Sequence, residues 1–116
     1  MTRIVYFVVG LTLLVSNVAL AQKHAPRIEQ NRSHLPGIYP EASTRLLTFA
    51  DVRGLTKWDL KIMRNEIYAR YGYVFKTDDM NRYFNNQSWY HAQYENVDGF
   101  LNTYEKKNIA FIKKRE

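Results

Sequence analysis

Residues 63–75 read MRNEIYARYGYVF, and the fold is decided by how this run continues the segment that begins at Lys57. Apolar side chains return at helical spacing up to Tyr71, and Gly72 then supplies the left-handed stop that ends many helices. One face of the predicted 57–71 helix carries Leu60, Met63, Ile67 and Tyr71, while the opposite face carries Trp58, Ile62 and Ala69. A helix that is apolar on two sides is packed between neighbours. Its polar residues Arg64, Asn65, Glu66 and Arg70 are therefore drawn out of water, and each needs a partner. Glu66 and Arg70 stand four apart in the favourable order and can pair on one turn. The next three residues, Tyr73-Val74-Phe75, form the chain's only strand-like run. It is too short to build a sheet and reads as an extended connector.

Working outward, helix starts recur. Thr48 with Asp51, Thr56 with Asp59 and Asn102 with Glu105 each place a capping side chain three residues before an acid. In that arrangement the cap accepts an orphan amide, and the acid reaches back while favouring the positive helix end. Gly54 ends a short first helix. Thr77 or Asp78 caps a third, through Met80, Tyr83 and Phe84. The fourth ends in Lys113-Lys114-Arg115, cations that suit a helix C-terminus. Its expected apolar stripe is Leu101, Tyr104, Asn108, Phe111 and Ile112, and an asparagine in the middle of such a stripe must be hydrogen-bonded. The predicted fold class is all-α, a small bundle of about four helices with an aromatic-rich core.

Further out the texture changes. Residues 22–43 hold all three prolines (26, 36 and 40) among polar residues and read as an extended linker. Pro36-Gly37 is a turn signal, and Ile38 and Tyr39 are placed to lay a short arm against the domain. Residues 1–21 have the regions of a secretory signal. Arg3 is followed by an uncharged, mostly apolar run, and Ala19-Leu20-Ala21 offers small residues at a cleavage site. The expectation is therefore export, to the periplasm or beyond, with no membrane span in the mature chain. The expected organisation is a signal peptide at 1–21, a linker at 22–43 and a helical domain at 44–116.

Composition narrows the chemistry. There is no cysteine among the 116 residues, which excludes disulfides, Cys-ligated metal, a thiol nucleophile and a lipidated Cys. The net charge of +6 suits anionic wall polymers or headgroups. The cluster Lys106, Lys107, Lys113, Lys114 and Arg115 reads first as a solvated helix face, and nucleic acid is not an expected partner of an exported chain. His24, His34 and His91 lack metal-ligand spacing.

The run Arg64-Asn65-Glu66-Ile67 followed by Tyr68-Ala69-Arg70-Tyr71-Gly72 resembles the signature of the YARHG domain, a bacterial extracellular module. The resemblance continues through Phe84, Gln87-Ser88-Trp89-Tyr90 and Glu105, Asn108, Ile109 and Ile112, so it covers roughly 44–116. Tyr71 stands where the family pattern has histidine, and a histidine-based role is therefore not carried over. The resemblance implies an exported helical domain of about four helices, found alongside peptidases and kinases, with peptidoglycan as a suggested ligand. It implies no enzymatic activity and no cofactor.

Two groups of residues compete for function. Arg64, Asn65, Glu66, Tyr68, Arg70, Gly72 and Asn108 are read as a structural signature rather than a carboxylate-binding one, because the two-faced helix predicts burial. Trp89, Tyr90, Tyr94 and Gln87 are the candidate ligand-binding residues, since Trp89 and Tyr90 follow the polar run Asn85-Asn86-Gln87-Ser88 in a predicted loop. Aromatic faces there would pack on pyranose C–H groups. No catalytic set stands out. Glu66 with Asp59, Asp78 or Asp79 offers carboxylates, but no pattern indicates the cleft a glycosidase needs. The expected function is a non-enzymatic envelope-binding module, with peptidoglycan or an anionic wall polymer as ligand. The alternatives are an accessory subunit that docks on another envelope protein, and a glycan- or peptide-cleaving enzyme.

Overall fold

The structure, a computed structural model, describes residues 34–116. The expected signal peptide and the linker up to residue 33 lie outside the described residues. Four helices follow one another: α1 (Phe49–Val52), α2 (Lys57–Arg70), α3 (Asp78–Asn85) and α4 (Thr103–Lys113). Short 3-10 turns occur at Pro40–Ser43 and Asp98–Phe100. The described residues contain helices and no strands, so the chain is all-α.

The helix starts follow from their caps. Asp59 N–H donates to Thr56 Oγ1 at 3.1 Å and Thr56 N–H donates back to the Asp59 carboxylate at 2.9 Å. Asn102 and Glu105 repeat the exchange at 2.9 Å in both directions. At Thr48 the Asp51 carboxylate accepts the cap amide at 2.7 Å and is also gripped by both terminal nitrogens of Arg45. α2 ends where Gly72 turns left-handed, at φ +80°. That glycine also lies against the 91–94 segment: its carbonyl accepts from Gln93 N–H at 2.7 Å and Tyr94 N–H at 2.9 Å. A Cβ at Gly72 would stand 2.8 Å from the His91 carbonyl. The connector after it stays extended because Val74 N–H donates to the Tyr94 carbonyl at 2.8 Å.

α2 is buried on two sides. Leu60, Met63 and Ile67 pack with Leu47, Val52, Ile109 and Ile112 on the α4 side. Ile62 and Ala69 pack with Phe75, Met80, Phe84 and Tyr90 on the other. The Phe75 and Phe84 rings stack at 4.6 Å between centroids, and Tyr90 leans on both. Large rings fill a small core with few residues, each burying about 150–250 Å².

Two details of the expected faces change. Trp58 is 47% exposed and meets Tyr83 edge-on at 6.1 Å rather than entering the core. On α4 the inward face is Glu105, Asn108, Ile109 and Ile112, while Tyr104 is 43% exposed. The helix is turned this way because buried donors hold Glu105 and Asn108 inward, so Tyr104, a neighbour of Glu105, points out. The proline-containing stretch also reaches further into the domain than its composition implied. From Pro36 onward it lies against α2 and α4, and Ala42 and Ser43 are buried.

Candidate functional site

Two signature residues of α2, Glu66 and Arg70, converge on this arm. Glu66 is 1% exposed, and its carboxylate faces backbone rather than water. Ile38 N–H donates to both carboxylate oxygens, at 2.9 and 2.7 Å, and Tyr39 N–H donates to one at 3.1 Å. Gly37 makes this approach possible. Its φ is +107°, and a Cβ there would lie 1.7 Å from Glu66 Oε2. Arg70 holds the other side of the turn: Nε donates to the Pro36 carbonyl at 2.7 Å and Nη1 to Ser43 Oγ at 2.9 Å. Its Nη2 lies 3.5 Å from Glu66 Oε2, the expected pair on one turn, and is buried without a hydrogen bond.

A second latch comes from α4. Glu105 is fully buried and accepts from Ser43 Oγ at 2.8 Å and from the Tyr71 hydroxyl at 2.7 Å, besides its cap amide. Tyr71, at the position where the family pattern has histidine, thus serves as an internal donor. Asn108 uses its whole amide. Its Oδ1 accepts from Leu47 N–H at 2.9 Å, and its Nδ2 donates to the Ala42 and Arg45 carbonyls at 2.8 and 2.7 Å. Glu66, Arg70, Glu105 and Asn108 therefore bind the protein's own backbone and side chains.

Burial pushes the carboxyls of both Glu66 and Glu105 above the usual value of 4.5, against the opposing pull of Arg70 and of the groups that donate to them. Burial likewise lowers Arg70, with Glu66 and Glu105 opposing. Raised carboxyls bind protons in the folded state at pH values where the unfolded chain has released them. Their contribution to stability is full below about pH 4.5 and is lost as pH rises through the folded values. Asp51 and Asp79 act oppositely. A hydrogen bond from Arg45 lowers Asp51, and one from Lys61 brings Asp79 to about 2. Their contributions are present above the usual 3.8 and disappear in stronger acid. The expected result is a melting temperature that is highest in mild acid, above the range where Asp51 and Asp79 protonate, and that falls as pH rises past 4.5 toward neutrality. A thermal scan series that is flat or rises over that interval contradicts this.

The four candidate ligand residues do not form one surface. Tyr90 belongs to the core, 8% exposed, with its hydroxyl donated to the Tyr73 carbonyl. Trp89 packs on Phe84 at 6.0 Å, edge to face. Gln87 donates to the Tyr83 carbonyl at 3.2 Å. Tyr94 lies elsewhere, its ring 5.0 Å from Phe100. The loop that carried Trp89 and Tyr90 was expected to face water, but the rings fold back because Phe75 and Phe84 offer them apolar area.

An open recess forms instead beside the signature itself. A groove of about 330 Å³ runs between α2, at Arg64, Asn65 and Tyr68, and the segment from Glu95 to Asp98, with Tyr73 beside it. Buried Val97 lies under it. The Tyr68 and Tyr73 rings are tilted at 51° with centroids 5.9 Å apart. Asn65 is mostly buried and donates to the Lys61 carbonyl at 2.8 Å. Arg64 grips the Glu116 carboxylate rather than Glu66, through Nε at 2.7 Å and Nη2 at 3.0 Å. Tyr73, Glu95, Asn96 and Asp98 were not singled out from the sequence. The turn-forming run Asn96-Val97-Asp98-Gly99 was the available signal, and Asp98 N–H does donate to Asn96 Oδ1 at 2.9 Å.

Among the described residues, no helix is long and apolar enough to cross a membrane. A family model described as the YARHG domain matches residues 37–116. No curated protein and no solved structure matches the chain.

Proposed function

The chain belongs to the YARHG domain family, and from that premise we propose that it is an exported, non-enzymatic module that binds the cell envelope, peptidoglycan foremost, through the groove beside Tyr68 and Tyr73. The groove's lining is the observation that carries this reading. Two tyrosine rings, two amides and an arginine share one recess at the lower end of the volumes typical of small-ligand sites, about 300–1,000 Å³. Tyrosine faces pack against sugar C–H groups, amides bond hydroxyls, and the planar fork of arginine matches a carboxylate. Glu66, the carboxylate that a hydrolase would have drawn from the signature, is instead closed in by the Ile38 and Tyr39 amides. The full chain's net charge of +6, less Arg3 of the expected signal peptide, leaves an excess of positive charge that favours encounter with an anionic wall.

A pull-down with purified sacculi tests the reading. Tyr73→Leu keeps an apolar side chain but removes the ring. It is expected to weaken binding at least tenfold, about 1.4 kcal/mol, while the helical circular dichroism signal persists. Unchanged binding by the variant removes the groove from the account. Release of muropeptides by the wild type would favour the enzyme alternative. A protein-docking role is the second reading, favoured by exposed Ile38, Leu46 and Phe49. Wild-type protein that ignores sacculi would favour it.

A further inference from the structure

Building on that groove reading, we infer that the groove recognises the zwitterionic end of an amino acid, with its carboxylate on the Arg64 fork in place of Glu116 and its ammonium on Asp98. The fork already holds a carboxylate, that of Glu116, side-on through Nε and Nη2. Both partners of this pair remain 20% exposed, so another carboxylate can reach the fork. Asp98 lines the same recess and, among the described residues, its carboxylate has no ion-pair or hydrogen-bond partner. Glu95, by contrast, is paired with Lys76 at 2.9 Å.

Tyr68 lines the same recess as the two charges. After burial, which raises its phenol, the groups that act on it are Arg64, which lowers it, and Asp98, Tyr73 and Glu116, which raise it. Its hydroxyl has no hydrogen-bond partner among the described residues and is left to bridge the two ends of a ligand. A cation and an unpaired anion lining one recess beside a phenol fit a ligand that carries both charges. A neutral sugar leaves Asp98 unanswered. A simple carboxylic acid leaves Asp98 unanswered and brings a second negative charge beside it. Free ends of this kind occur on diamino acids of cross-linking peptides, which ties the inference to the wall reading.

Calorimetric titration of the purified protein tests it, with three probes: meso-diaminopimelate, its N,N′-diacetyl derivative and its diamide. Diaminopimelate is expected to bind, and each blocked derivative to bind at least tenfold more weakly. Asp98→Asn is expected to erase the preference for the free amine over the acetylated one. Glu116→Gln is expected to raise affinity for diaminopimelate several-fold, because the competing carboxylate is gone. Thermal melts confirm that each variant is folded. Equal binding of the three probes, no heat with diaminopimelate, or an unchanged preference in Asp98→Asn overturns the inference. Wild-type protein that binds sacculi but does not prefer the free zwitterion removes this inference and leaves the wall-binding reading. Failure of both assays removes both.

Discussion

Arg70→Ala is expected to destabilise the domain by about 3 kcal/mol, because it leaves a buried carboxylate without its cation. Arg70 and Glu66 are almost entirely out of water, and their side chains serve the same turn. Removing the guanidinium leaves the Pro36 carbonyl and the Ser43 hydroxyl without their donors. Glu66 then retains only the Ile38 and Tyr39 amides, and Glu105 loses the nearby positive charge that opposes its burial. For a domain of this size the loss amounts to about 12–24 °C in melting temperature. Urea unfolding measures the free energy, and hydrogen exchange at the Ile38 and Tyr39 amides locates it. An unchanged melting temperature would falsify the structural role of the pair.

Asn108→Leu is expected to cost about 4 kcal/mol. The substitution keeps the branch at Cγ but is bulkier, and it strands three backbone groups at once: the Leu47 amide and the Ala42 and Arg45 carbonyls. Each buried polar group left unpaired costs about 1–3 kcal/mol, and carbonyls that can turn toward water cost least. Asn108→Asp provides a second test. Its carboxylate can still accept from Leu47 but faces two carbonyls, so the variant should be at least as unstable at neutral pH and recover in acid as the carboxyl protonates. Loss of less than about 1 kcal/mol in Asn108→Leu would mean that water replaces the amide.

Much of this architecture was legible because its signals are local. The three capping pairs each lie within four residues; in all three the acid accepts the cap amide as the spacing implied, and Thr56 and Asn102 accept the return amide, while the Thr48 hydroxyl donates to Asp51 instead. Gly72 and the two apolar faces of α2 were equally readable, since a glycine stop and a helical stripe involve neighbours along one element. Asn108 was recognised as needing a partner, but the partners themselves, 61 to 66 residues away, left no mark on its surroundings in the sequence. Glu105 shows the limit most clearly. It was read as a capping acid, which it is, yet the same carboxylate also serves Ser43 and Tyr71. The spacing of Glu105, Asn108, Ile109 and Ile112 held that information. The polarity of Glu105 concealed it, and the stripe was drawn through Tyr104 instead. At the site, Tyr90 was misplaced because a polar run beside a ring says nothing about which hydrophobic surface waits across the domain. The groove draws one wall from α2 and the other from residues 95–98, and only folding brings them together.

The arm that begins at Pro36 leaves the ribosome before every group that will hold it. Ile38 waits for Glu66, 28 positions later, and Ala42 for Asn108, 66 positions later. No nascent chain that stops short of Asn108 can close both latches, so this early-made segment cannot settle until α4 follows it. Assembly of the unit is thereby tied to the synthesis of α4.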